Sequence, residues 1–140
     1  MIQLKVFTTK EANALIPEIS RLILDLREKR TLIEKKEVEI DALELVTEDD
    51  SEAGHALLKR EVEQLNCLIA DFNATVDFIH GHGCFLKDVN TGLVDFYAVM
   101  DGKVVYLCWK FGEEEITHWH EVGGGYASRQ QLPKEDDPSR

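Results

Sequence analysis

From Leu58 to Ile79 the residues Leu58, Val62, Leu65, Ile69, Phe72, Val76 and Ile79 recur in alternating steps of four and three. Only an α-helix brings those positions to one face, and that face needs a second apolar surface to leave water. A second stripe lies upstream, where Leu15, Ile19, Leu22, Leu26, Ile33, Ile40 and Leu43 follow steps of three, four or seven. Between the two stripes stands TEDDSE, residues 47–52, an acidic turn-like cluster in which Asp50 or Ser51 suits a helix N-cap. The pattern predicts a long antiparallel helical hairpin over residues 9–80. At 1.5 Å per residue its arms reach roughly 60 and 45 Å, more than a small sheet covers, so a second copy of the chain is the simplest further partner.

The first helix has a start signal and two irregularities. Thr8 precedes Glu11 by three residues, the spacing of a capping box. Pro17 lies inside the helix and cannot donate a backbone hydrogen bond, which predicts a kink or a break into two pieces. Lys29 and Lys36 occupy stripe positions, so either their stems lie along the seam or the seam is loose there.

After HGHG (80–83) the period changes from 3.6 to 2. Residues 84–89, 93–100, 103–111 and 116–122 read as strands of an antiparallel sheet spanning 84–122. Ile2, Leu4 and Val6 alternate in the same way, so a strand over 2–7 is expected to join it. Asp101-Gly102 is a two-residue hairpin signal, and it pairs Ala98 with Val105, Phe96 with Leu107 and Val94 with Trp109 on a core face. Tyr97 with Tyr106 and Asp95 with Cys108 then occupy the outer face. A three-residue loop at 90–92, with Gly92 left-handed, sets Lys87 against Asp95. The fold class is α+β: a helical hairpin followed by a small sheet of about four to five strands, N-terminal strand included. It forms one domain over 1–132, with 133–140 a flexible tail.

With 140 residues, 44% hydrophobic, the chain is long enough for a core. The formal net charge of −11 opposes binding to phosphate backbones and anionic membranes, so neither nucleic acid nor membrane is an expected partner. The first seven residues carry no charged region followed by an apolar run, and no stretch approaches the roughly 18 residues of a membrane span. With three cysteines, Cys67, Cys84 and Cys108, the expectation is a cytoplasmic protein with reduced thiols.

FTTKEANALIPEI near the start, LKDVNTGLVDFYAVMDGKVVYLCWKFGEEEITHWHE and the closing GGGYASRQQL together resemble a prokaryotic family of uncharacterised proteins, domain of unknown function 2203, over residues 6–132. The resemblance rests on Asp88, Thr91, Gly92, Asp95, Phe96, Gly102, Cys108, Trp109, Gly112, Trp119, His120, Glu121 and Arg129. It leaves His80, His82 and His118 aside. Tyr97 and Gln131 stand where the family pattern has prolines. The resemblance implies no particular activity.

The residues themselves offer several candidate chemistries. His80, His82, Cys84, Cys108, His118, His120 and Glu121 are nominal metal ligands, but neither CxxC nor HExxH spacing is present. No metal and no cofactor is therefore expected, His118 and His120 being the nearest to metal candidates. If Phe111 pairs with Ile116, then His118 faces Trp109 and His120 faces Leu107 on the core side. Trp119 and Glu121 then lie outside, against Cys108 and Tyr106. A change of one residue in that loop brings a histidine opposite Cys108 instead. The GGGYASR loop offers backbone N–H groups, and Arg129 a clamp for a carboxylate or phosphate.

Asp95, Cys108, Trp119, His120, Glu121 and Arg129 are accordingly the candidate ligand-binding residues, with no catalytic residue assigned. Phe85, Tyr97, Val99, Val104 and Tyr106 give the outer face more apolar surface than suits water, and form the candidate interface. The sequence thus leans away from an enzyme and towards a self-associating interaction module, a homodimer or other homo-oligomer. The alternative is a small-ligand-binding or metal-assisted enzyme built around His120, Glu121 and Arg129.

Overall fold

The computed structural model describes residues 5–47 and 51–133. Helix α1 spans Thr9–Val46 and helix α2 spans Glu52–Gly81. Strands β1 (Phe85–Asp88), β2 (Leu93–Met100), β3 (Lys103–Lys110), β4 (His118–Glu121) and β5 (Gln130–Gln131) follow, with a 3-10 turn over Tyr126–Ser128 before β5. The strands form one antiparallel sheet in the order β1-β2-β3-β4-β5. This is the expected α+β arrangement of helical hairpin and small sheet. Residues 2–4 of the predicted strand over 2–7 lie outside the described residues. Lys5, Val6 and Phe7 form no strand, although Phe7 N–H donates to the Tyr97 carbonyl at 2.7 Å. The fifth strand comes instead from Gln130–Gln131, beyond the predicted end of the sheet at 122.

The helix signals act as their chemistry requires. Thr8 N–H donates to Glu11 Oε1 at 2.9 Å, and Glu11 N–H donates to Thr8 Oγ1 at 3.0 Å, closing a capping box. Hydrogen bonding from Thr8, its backbone N–H first and its hydroxyl second, holds the Glu11 carboxyl below its ordinary pKa. Ser51 Oγ accepts from Gly54 N–H at 3.1 Å at the start of α2. Pro17 does not divide α1, which is assigned as one helix through it.

The chain divides into two compact units, one comprising the described residues up to Leu24 and from Asp77 onward, the other Asp25–Val76. In the second unit the two stripe lysines are polar rungs between the arms. Lys29 Nζ donates to Thr75 Oγ1 at 2.7 Å and meets Asp25 and Asp71, while Lys36 Nζ reaches Glu61 at 2.6 Å and Gln64 at 2.9 Å. The hydrogen bonds to Asp25 and Glu61 hold the Lys29 and Lys36 pKa values above the ordinary lysine value.

The first unit holds the core of the sheet. Val94, Phe96, Ala98, Val105, Leu107 and Trp109 on one sheet face are buried, as are Phe7, Ala12, Ile16 and Ile19. Phe7 meets Phe96 edge to face, and Asn13 Oδ1 accepts from Ile116 N–H at 2.7 Å, tying α1 to the segment before β4. Gly83, at φ +97, leaves α2 in the left-handed conformation. No helix among the described residues is long and apolar enough to cross a membrane.

The β2–β3 register matches the hairpin expectation pair for pair, and both turn residues, Asp101 and Gly102, have positive φ. The neighbouring registers differ. Phe85, not Lys87, stands opposite Asp95. Asp88 is the reason: Oδ1 accepts from Asn90 N–H, Oδ2 accepts from Thr91 Oγ1, and its carbonyl accepts from Gly92 N–H. These bonds close a loop over 89–92, and an irregularity between Leu86 and Asp88 adds to the shift.

The β3–β4 register also differs, by one residue. Cys108 pairs with His118, Leu107 with Trp119, Tyr106 with His120 and Val105 with Glu121. Phe111 N–H donates to the Gly92 carbonyl, so it does not zip against Ile116. Glu113 folds the turn back: its N–H donates to the Lys110 carbonyl, its Oε1 accepts from Lys110 N–H, and its carbonyl accepts from Trp109 Nε1. A one-residue slip moves every side chain to the opposite face. His118 and His120 therefore lie on the outer face with Cys108, and Trp119 and Glu121 on the other.

Candidate functional site

Alternation along three adjacent strands brings Asp95 of β2, Cys108 of β3 and His120 of β4 to the same place on the outer face. All three are buried, the His120 and Asp95 side chains being 3% and 5% exposed. One ligand atom from each lies within 4.8 Å of the others, and among the described residues this is the group of three that could hold a metal ion.

The hydrogen bonds fix how these groups are oriented. His120 Nδ1 lies 2.9 Å from the Glu121 carbonyl oxygen, which can only accept, so Nδ1 carries a hydrogen. His120 Nε2 lies 3.2 Å from both Asp95 oxygens. A contact between a ring nitrogen and a carboxylate needs one more proton, shared between them as an ion pair or as a carboxylic acid. Both ring nitrogens are thus engaged, and neither is free to take a proton from Cys108. Burial, the largest effect, and the nearby Asp95 charge push the Cys108 thiol up to about 11, against the opposing pull of Arg129. A neutral thiol beside a fully engaged imidazole is not an activated nucleophile.

The three residues face a cavity of about 270 Å³. Lys87 and Tyr106 flank it, and Leu93, Val122, Gly124, Gly125 and Tyr126 complete the lining. Its wall continues a line of rings along the sheet: Phe85 meets Tyr97 at 5.2 Å, Tyr97 meets Tyr106 at 4.8 Å, and Tyr106 meets His120 at 5.2 Å between centroids. Tyr106 donates its hydroxyl to Tyr97 at 3.1 Å, and that bond, with burial, pushes its pKa up to about 12. Lys87 Nζ stands 5.5 Å over the Tyr106 ring.

Arg129 supports the loop that roofs the cavity. Its Nη2 donates to the Cys108 carbonyl at 3.1 Å and to Glu113 Oε1 at 2.8 Å, while its guanidinium carbon sits 4.8 Å over the Tyr126 ring. Burial is the largest single influence and works against its charge, but Glu113, with Cys108 and Tyr126, together outweighs it and the Arg129 pKa is raised. These contacts tie Nη2 and the guanidinium face to the protein, while the buried Nε has no hydrogen-bond partner among the described residues.

Of the six candidate ligand residues, the fold brings together Asp95, Cys108 and His120. Glu121 points away and pairs with Lys103 at 3.4 Å, and Trp119 shares the opposite face. His118 stands opposite Cys108, but its Nδ1 engages Thr117 Oγ1 at 2.8 Å and it lies outside the group of three. The expectation that the histidines face the core is therefore corrected. Val122 and Tyr126 are lining residues that sequence reasoning did not pick, while Lys87, expected beside Asp95 on the outer face, does line the cavity. Tyr126 was marked only by its place in the glycine-rich loop.

Residues 5–132 match the family described as uncharacterized conserved protein, DUF2203. No curated protein and no solved structure matches the chain. The match extends from the capping segment of α1 to β5 and includes every residue of the Asp95–Cys108–His120 site, so the chain belongs to the DUF2203 family.

Proposed function

We propose that this chain is a small-ligand-binding protein whose site is the cavity over Asp95, Cys108 and His120. The observation that carries the reading is a buried polar group opening onto a cavity. Buried polar side chains are costly to desolvate, and a sheet that needed only bracing is served more cheaply by apolar residues. The cavity lies just below the roughly 300–1,000 Å³ of typical small-molecule sites, which suits a compact ligand. Its polar floor and the Lys87 ammonium suit hydrogen-bonding or acidic groups, and Val122 and Tyr126 suit an apolar part.

The test is backbone amide mapping by NMR with fragment-sized carboxylates, amides and hydroxylated compounds. Binding in the cavity is expected to shift the Cys108, His120, Gly124 and Tyr126 signals. A screen whose binders leave those four unmoved contradicts the reading.

Self-association is the second reading, favoured by one cross-strand pair. Val99 and Val104 face each other on the outer face, 40% and 43% exposed, beyond the ring line that buries Tyr106. Phe85, Tyr97, Val99, Val104 and Tyr106 would form the interface, and sedimentation across a range of concentrations is its test. A mass that stays at one chain throughout rules it out.

A further inference from the structure

Asp95, Cys108 and His120 present one oxygen donor, one sulfur donor and one nitrogen donor from three adjacent strands. Strands hold such donors more rigidly than loops do, and a rigid donor set is what a metal centre requires. The Nε2–oxygen separation of 3.2 Å is close to the spacing between two ligand atoms about 2.0–2.1 Å from a tetrahedral ion. The Nδ1–H bond to the Glu121 carbonyl fixes the ring orientation and tautomer, as outer hydrogen bonds do for metal-ligating histidines, and it leaves Nε2 as the donor. Charge also balances: a carboxylate, a thiolate and a neutral imidazole together neutralise one divalent cation in a buried site.

We propose that these three side chains bind a divalent transition-metal ion of the zinc class, with its fourth position open to the cavity. The proposal rests on the reading of that cavity as a ligand site and names the cofactor through which a ligand would be held. The thiolate and imidazole exclude magnesium and calcium, which take oxygen ligands. On binding, the Cys108 S–H bond breaks and a sulfur–metal bond forms. That proton and the one shared by His120 and Asp95 leave to solvent, so metal uptake is accompanied by proton release. An ion bound through three protein ligands keeps a position for water or for a ligand oxygen, and a water held there is a stronger acid than free water.

The test is titration of tag-free, full-length protein with cobalt(II), then zinc(II), in a Cys67→Ser background that removes the exposed thiol. The expected result is one equivalent of cobalt with a thiolate-to-cobalt charge-transfer band, bleached by zinc. Zinc should also raise the unfolding temperature. Adding Cys108→Ser should abolish the band and weaken zinc binding at least ten-fold, and His120→Ala should weaken it similarly. The band in the Cys67→Ser protein itself decides the question should either further variant fail to fold. Absence of the band, or binding unchanged by Cys108→Ser, overturns the proposal and assigns the uptake to exposed carboxylates. Fragments that shift cavity amides in metal-free protein unable to form the band overturn the metal centre while leaving the ligand reading intact. The band without any fragment binding supports the metal centre and counts against the ligand reading alone.

Discussion

Asp95 and His120 hold each other at 3.2 Å with their side chains almost wholly buried, so each depends on the other for its charge or proton. Removing one partner of such a pair leaves the other buried and uncompensated, typically at a cost of about 3–5 kcal/mol. Asp95→Ala is therefore expected to lower the urea midpoint strongly, whereas Glu121→Ala, on an exposed pair, leaves it nearly unchanged. The cysteines differ in the same way. Cys67 is exposed, while Cys84 and Cys108 are buried, so a thiol reagent should modify only Cys67 until the chain unfolds. Burial also pushes the Cys84 thiol up from 9.0 to about 11, which favours the protonated folded state. That contribution, on the order of 2–3 kcal/mol, is whole below pH 9 and is lost as pH climbs through 11. Unfolding curves across this window should decline less steeply for Cys84→Ala than for the parent chain.

Elements carry their own signals to different depths. The helical stripes, the Thr8–Glu11 box and the Asp101-Gly102 turn are local in sequence, and each predicts what it forms. The β3–β4 register is decided by Glu113, which bonds Lys110, Trp109 and Arg129 at once. Nothing in loop length distinguishes that arrangement from a plain hairpin, and the single-residue difference exchanges the faces of His120 and Trp119. The members of the site were legible as residue types, with Asp95 and Cys108 already paired on the outer face. Their meeting with His120 was not, because it depends on one turn. Glu113→Ala is expected to cost about 1–3 kcal/mol through the orphaned Lys110 N–H and the half-buried Arg129. Faster amide exchange at Lys110 and through 122–129, with β2 unaffected, is the accompanying signature. Exchange unchanged in that loop would mean that Glu113 does not hold it.

At the scale of the whole molecule, burial is uneven. Among the described residues, Leu26 and Ile40 are the buried apolar side chains of the unit Asp25–Val76, and the remainder of the buried set lies in the other unit. Leu32, Val38, Leu45, Leu57, Val62 and Ile69 of that helical unit are exposed. Hydrogen exchange is therefore expected to be faster over residues 28–70 than over β2 and β3, because local stability follows buried apolar contact. Protection there equal to that of β3, growing with protein concentration, would instead mean that a second copy covers the hairpin. The proposed ligand site and the proposed metal centre both depend on one placement, that of His120 beside Asp95 and Cys108. The most direct measurement is the set of nuclear Overhauser contacts made by the His120 ring protons. With His120 on the outer face, contacts with the Tyr106 ring and the Cys108 β-protons are expected, whereas contacts with the Leu107 methyl groups would place His120 on the opposite face and contradict that placement.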